Sequence, residues 1–161
     1  MSSPTEPADR TLVLTRLLDA PRGLVFEVWT QPVHLARWWG PTDFTLPTCE
    51  QDFREGGAYR FCMRAPDGTD HWVWGVYREI VAPERLVFTW QREDQIGLRR
   101  GLDNLVTVTL AEEGRQTRLT LRHTAFQTVA DRDDHHGGWT QCLDRLAGHV
   151  AEQALNPQNI S

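Results

Sequence analysis

The sequence predicts an α+β fold: a curved antiparallel sheet of about seven strands wrapped around one long C-terminal helix, with two short helices after the first strand. Three observations predict it. Short segments of alternating apolar and polar residues, separated by turn residues, follow one another through most of the chain. A period of 3.6 is sustained only near the C-terminus. Pro21 and Pro32 each stand where a short helical pattern begins, directly after the first alternating segment.

The elements follow in order. Arg10 to Leu18 alternates Leu12 and Leu14 against Thr11, Val13 and Thr15, and reads as a strand. Ala20-Pro21 ends it. Leu24, Val25, Val28 and Trp29 then fall at helical spacing, and Gln31-Pro32 divides that helix from a second one running through Leu35 to Trp39. Gly40-Pro41 stops the second helix. Phe44 to Phe53 is a strand whose Pro47 marks an edge or a bulge. Ala58 to Arg64 and His71 to Val81 form a hairpin about Pro66-Asp67-Gly68, where proline presets φ and glycine accepts a positive one. Arg85 to Gln91, Leu105 to Leu110 and Thr117 to His123 are three further strands, with 94–102 as a polar loop. The final helix carries Trp139, Leu143, Leu146 and Val150 on one stripe. Gly137-Gly138 is awkward in a helix, because each glycine costs about 1 kcal/mol relative to alanine. The helix either starts before the pair and bends there or starts after it.

Length and composition set limits. A chain of 161 residues amounts to one domain. Residues 1–9 are expected to be a disordered leader, 10–154 the domain and 155–161 a tail. Lys plus Arg is 17 and Asp plus Glu is 22, for a net charge of −5, which argues against nucleic acid as a partner. No apolar run reaches the ~20 residues of a membrane span, and no secretory signal is visible, so no membrane partner is expected. Three unpaired cysteines fit free thiols in a reducing cytoplasm. Seven Trp and six Phe against two Tyr point to a wide interior, a pocket, or both.

The motif string then narrows the fold. Arg37-Trp38-Trp39-Gly40-Pro41, Cys49 and Asp52-Phe53-Arg54-Glu55-Gly56-Gly57 come first. Met63-Arg64 with Pro66-Asp67-Gly68, Gly75-Val76-Tyr77-Arg78-Glu79-Ile80 and Pro83-Glu84-Arg85-Leu86 follow. Gly137-Gly138-Trp139 and Leu143-Asp144-Arg145-Leu146 close the set. This order resembles the START-like, or birch-pollen-allergen-like (SRPBCC), superfamily with its helix-grip fold. Within it, the string is similar to the family named for homology to the activator of Hsp90 ATPase, in its single-domain form, over about residues 10 to 152. The resemblance implies a cavity between sheet and helix, since relatives in the wider superfamily bind lipids, sterols, polyketides or plant hormones. It implies no catalytic set and no cofactor. The activator itself has a further N-terminal domain contributing to its chaperone contact, so chaperone activation is not what the resemblance chiefly implies.

Individual residues carry the expectation of a site. Tyr59, Phe61 and Met63, with Phe88 and Trp90, form apolar strand faces that would line the concavity or fill it as core. Trp38 and Trp39 are adjacent and about 100° apart on a helix, so one is expected in the core and the other at a pocket rim. Leu121 and His123 share an apolar strand face. His123 reads either as a ligand-contacting or acid–base histidine, or as a buried one satisfied by a neighbour. Tyr59 or Tyr77 would join it in orienting a polar group, and Trp139, Leu143 and Leu146 would supply the helix wall. Trp72 and Trp74, if outward, would form an exposed aromatic patch. No pair of Cys or His has metal-ligand spacing, and no nucleophile elbow or phosphate-binding glycine loop occurs. The expectation is a protein binding a small apolar molecule, without metal or cofactor. A cyclase- or hydrolase-like enzyme using the same cavity is one alternative. An interaction module, as a homodimer or a chaperone partner, is the other.

Overall fold

The computed structural model describes residues 10–93, 99–124, 126 and 128–155. The expected leader, and all of the expected tail except Leu155, lie outside these. Seven strands are present among them: β1 (Leu12–Leu18), β2 (Thr45–Gln51), β3 (Ala58–Arg64), β4 (Asp70–Val81), β5 (Arg85–Glu93), β6 (Arg99–Glu113) and β7 (Gln116–Thr124). Two short helices, α1 (Arg22–Thr30) and α2 (Pro32–Trp38), follow β1, and α3 (Val129–Ala154) closes the described chain. The strands form one sheet in the order β1-β7-β6-β5-β4-β3-β2, and every neighbouring pair is antiparallel. This is the α+β helix-grip arrangement the sequence predicts.

Alternation decides which side chains enter the grip. Tyr59 and Phe61, Val73 and Tyr77, Phe88 and Trp90, Val106, Val108 and Leu110, and Leu119, Leu121 and His123 are all buried. They meet Trp139, Leu143, Leu146 and Val150 of α3, which are also buried. The first and last strands in space, β1 and β2, are adjacent in sequence, so α1 and α2 must carry the chain from one edge of the sheet to the other. In doing so they bring Trp29, Trp38 and Trp39 under the sheet.

Two local features differ from or resolve the sequence reading. Residues 99–102 are not loop: β6 starts at Arg99, pairing Arg99 with Glu93 and Arg100 with Arg92. Backbone ladder bonds continue past the point where apolar alternation stops, and alternation was the signal read there. Residues 94–98 of that expected loop lie outside the described residues. Helix α3 starts well before Gly137-Gly138 and runs through them. Thr128 caps it, its hydroxyl accepting the Asp131 N–H at 3.0 Å.

Candidate ligand cavity at the mouth of the grip

Five of the seven tryptophans, Trp29, Trp38, Trp39, Trp90 and Trp139, form one cluster in the hollow of the sheet. Trp38 is the deepest. It is fully buried and donates its indole N–H to the Val28 carbonyl at 3.0 Å. Trp39 follows the last residue of α2, where the backbone turns extended, so its ring parts from that of Trp38 and meets Trp90 at 6.1 Å and Trp139 at 5.7 Å between centroids. Trp90 and Trp139 lie 5.3 Å apart. These three indoles make a floor.

Above that floor a cavity of about 440 Å³ opens, within the size range of small-molecule sites. The N-terminal half of α3 gives one wall, through His135, Gly137, Gly138, Gln141 and Cys142. Pro41 and Phe44 of the α2–β2 connection give a second, and Met63, His71, Trp72, Val73 and Arg92 of the sheet give a third. Of the residues the sequence singled out, Trp39, Met63, Trp90 and Trp139 come together here. Tyr59, Phe61, Tyr77 and Phe88 instead surround an inner void of only about 10 Å³, room for a single water. Trp38, Leu121, Leu143 and Leu146 are closed core, each at most 1% exposed. The hollow beneath the sheet is therefore filled with indoles and phenyl rings, and the open space lies at its mouth.

The connection that forms the second wall is fastened to α3 by side chains. Gly40 takes φ +100°, a conformation glycine reaches without strain. The Arg145 guanidinium donates to the carbonyls of Trp39, Gly40 and Pro41 at 3.3, 3.0 and 2.9 Å, and to that of Arg37 at 3.3 Å. Gln141 accepts the Thr42 N–H at 3.0 Å. Gly137 and Gly138 explain the width of the cavity. A Cβ added at Gly137 would meet nothing within 4 Å, and one at Gly138 would lie 4.0 Å from Pro41 Cγ.

Two buried histidines underlie the rim. Trp139 Nε1–H donates to His123 Nδ1 at 3.1 Å. An indole can only donate, so Nδ1 accepts and the imidazole proton sits on Nε2. The Asn104 side-chain amide is 3.0 Å from Nε2. Turning its oxygen to the Nε2–H gives that proton an acceptor and gives Asn104 Oδ1, which otherwise has no partner, a donor. His135 is held with the opposite tautomer. Its Nε2 accepts from Trp90 Nε1–H at 3.3 Å, and its Nδ1–H donates to the Asp131 carbonyl at 2.9 Å. Asp131 also accepts from Arg92 at 2.5 Å. Burial pushes the His123 pKa well below its ordinary value, with His135 and Arg92 adding to the effect. Burial lowers that of His135 as well. Both rings stay neutral and have both nitrogens engaged within the protein.

The sequence reading missed Asn104, Arg92, Asp131 and His135 as parts of this region. The signal for three of them was present. Asp131, His135 and Trp139 are spaced by four and so share the inner face of α3. Asn104 is in phase with Val106, Val108 and Leu110. Burial pushes the Cys49 thiol up to about 11 and that of Cys142 up to about 12, which disfavours the reactive thiolate at both. Trp72 and Trp74 do face outward but are half-buried, with the Arg60 guanidinium 3.8 Å from the Trp72 ring centroid. Among the described residues, a wider hollow of about 990 Å³ over these two rings is lined by residues of the sheet and its edge. Among the described residues no helix is long and apolar enough to cross a membrane.

An antiparallel sheet gripping one helix, with a cavity at the mouth, defines a START-like helix-grip protein. The chain belongs to the Activator of Hsp90 ATPase homolog 1-like protein family, whose model matches residues 19–151. A solved structure of a protein from Chromobacterium violaceum is 30% identical, with a TM-score of 0.77 over 87% of this chain and 96% of that one. The AHSA1 protein of Silicibacter pomeroyi is 26% identical, with a TM-score of 0.79 over 89% of this chain and 99% of that one. A protein from Nitrosomonas europaea at 24% identity has the same fold, with a TM-score of 0.75 over 91% and 97% of the two chains. The comparison with curated proteins gives no match.

Proposed function

We propose that the protein binds one small, largely apolar molecule in the cavity at the mouth of the grip. The observation that carries this reading is an open space of about 440 Å³ floored by Trp39, Trp90 and Trp139 and left wide by two helical glycines. Helical glycine is costly, and here the missing side chains are what keep the wall back. Affinity would come chiefly from apolar area, at ~25 cal/mol per Å² before association costs. Polar groups of the ligand would meet His71, Arg92, Asp134 and Gln141 at the rim. The family and fold support this at the level of a ligand-binding START-like domain.

The test is a titration with the neutral dye phenylnaphthylamine, whose emission rises when it leaves water. The wild-type protein should bind it saturably. Gly138→Leu, which places a side chain between α3 and Pro41, should weaken binding by about tenfold or more while the protein stays folded. Equal binding by both proteins, or none by the wild type, would overturn the assignment.

A further inference from the structure

The five clustered indoles divide into two kinds. Trp38, Trp90 and Trp139 each donate their N–H to a group of the protein. Trp29 and Trp39 do not: their Nε1 atoms are buried without a hydrogen-bond partner. These two are also the indoles of the cluster that line the inner void of about 10 Å³. Their centroids are 6.1 Å apart with the rings nearly perpendicular. Buried donors are almost always paired, so two tryptophans that line the same void and carry unpaired donors call for an acceptor.

Trp39 lines both that void and the outer cavity, which makes its ring the partition between them. The void has no charged side chain in its wall, and the Tyr59 hydroxyl is already committed to the Thr89 carbonyl at 2.5 Å. A carboxylate driven there would be desolvated without a cation, whereas a neutral oxygen loses little and gains the waiting donors.

We infer that the ligand of the outer cavity carries a neutral oxygen acceptor, a carbonyl, which displaces the Trp39 ring, joins the two spaces and accepts N–H bonds from Trp29 and Trp39. This rests on the outer cavity being the ligand site. The indole floor supplies apolar contact, and the two donors select the functional group.

The experiment compares three probes of one shape by calorimetry: acetylnaphthalene, isopropylnaphthalene and naphthoate. The ketone should bind the wild-type protein about tenfold tighter than the hydrocarbon, with the carboxylate weakest. Trp29→Phe, outside the lining of the outer cavity, should shrink the ketone's advantage while leaving hydrocarbon binding nearly unchanged; Trp39→Phe should lower the affinity for both probes and shrink the ratio between them. In isotope-labelled wild-type protein the indole N–H resonance of Trp29, which does not line the outer cavity, should move with the ketone and not with the hydrocarbon, a readout that needs no variant to fold. Hydrocarbon and ketone binding equally would overturn this inference alone, leaving a void that holds only water. Preference for naphthoate would do the same. Failure of all three probes to bind would overturn the outer site together with it.

Discussion

The Trp139 indole reaches from the covering helix to the His123 imidazole of β7, donor to acceptor at 3.1 Å, and fixes which nitrogen of that ring holds its proton. The contact lies among residues with essentially no exposure: His123 at 0%, Asn104 at 2% and Trp139 at 4%. A polar chain in such a setting is stabilising only while complete, because each broken link leaves a desolvated group behind.

That property gives a double-mutant test. Asn104→Leu leaves the His123 Nε2–H without an acceptor and should cost about 1–3 kcal/mol in urea unfolding. His123→Leu leaves both Trp139 and Asn104 unpaired and should cost at least as much. The double variant leaves only the Trp139 N–H, so its loss should fall short of the sum of the singles by about 1 kcal/mol or more. Strict additivity would mean that the two side chains do not share a bond.

The same histidines make stability depend on pH. The folded-state pKa values of His123 and His135 lie below the ordinary value of 6.5, because burial disfavours the charged ring. Below that pH the unfolded chain takes up protons that the native one refuses, so acid favours unfolding. Stability should be flat above about pH 7 and fall from about 6.5 downward, by up to about 1.4 kcal/mol per pH unit for each neutral ring. Urea midpoints measured from pH 8 to 5 would show it. The His123→Leu/Asn104→Leu protein should show a shallower decline, and an unchanged slope would assign the effect to other groups.

Gly137 separates helix stability from cavity shape. Its place in α3 has ordinary helical surroundings, and an added methyl would meet nothing within 4 Å. Gly137→Ala should therefore stabilise the protein by about 0.5–1 kcal/mol, through helix propensity and a less free unfolded chain. The methyl is too small to close a space of about 440 Å³, so dye binding should persist. Thermal unfolding and the dye titration, run on the same preparation, check both halves.

Much of the fold was legible because the sheet has one dry face. Strands such as Thr117 to His123 wrote their orientation into a period of two, and the stripe through Trp139, Leu143, Leu146 and Val150 wrote the single cover. At residues 99–102 of β6 the sequence Arg99-Arg100-Gly101-Leu102 has no apolar alternation, and the pairing there is a matter of the backbone, which leaves no side-chain period to read. The site was legible in part. Trp39, Met63, Trp90 and Trp139 stood out as aromatic or apolar faces, but periodicity says only that a residue points inward. It cannot say whether the space it meets is filled, as beside Phe88, or open, as beside Trp90. That depended on Trp29 and Trp38 arriving from α1 and α2. It depended also on two glycines whose contribution is the absence of a side chain.

Arg145 holds the remaining wall, and its removal should show in both stability and binding. Four carbonyls, of Arg37, Trp39, Gly40 and Pro41, converge on one guanidinium, which serves as a side-chain cap at the end of α2. Nη1, with two N–H groups, is shared among the carbonyls of Trp39, Gly40 and Pro41, and Nη2 reaches that of Arg37 on the other side of the planar fork, which a lysine ammonium on one nitrogen does not span. Arg145→Met keeps most of the aliphatic stem and removes only the donors. It should cost about 1–3 kcal/mol, with Arg145→Lys recovering part of that. Because the freed segment carries Trp39 and Pro41, both of which line the cavity, dye affinity should drop in Arg145→Met even at temperatures where it is fully folded. A variant with lowered stability but wild-type affinity would show that the Trp39–Pro41 corner keeps its shape without the clamp, held by the indole packing alone.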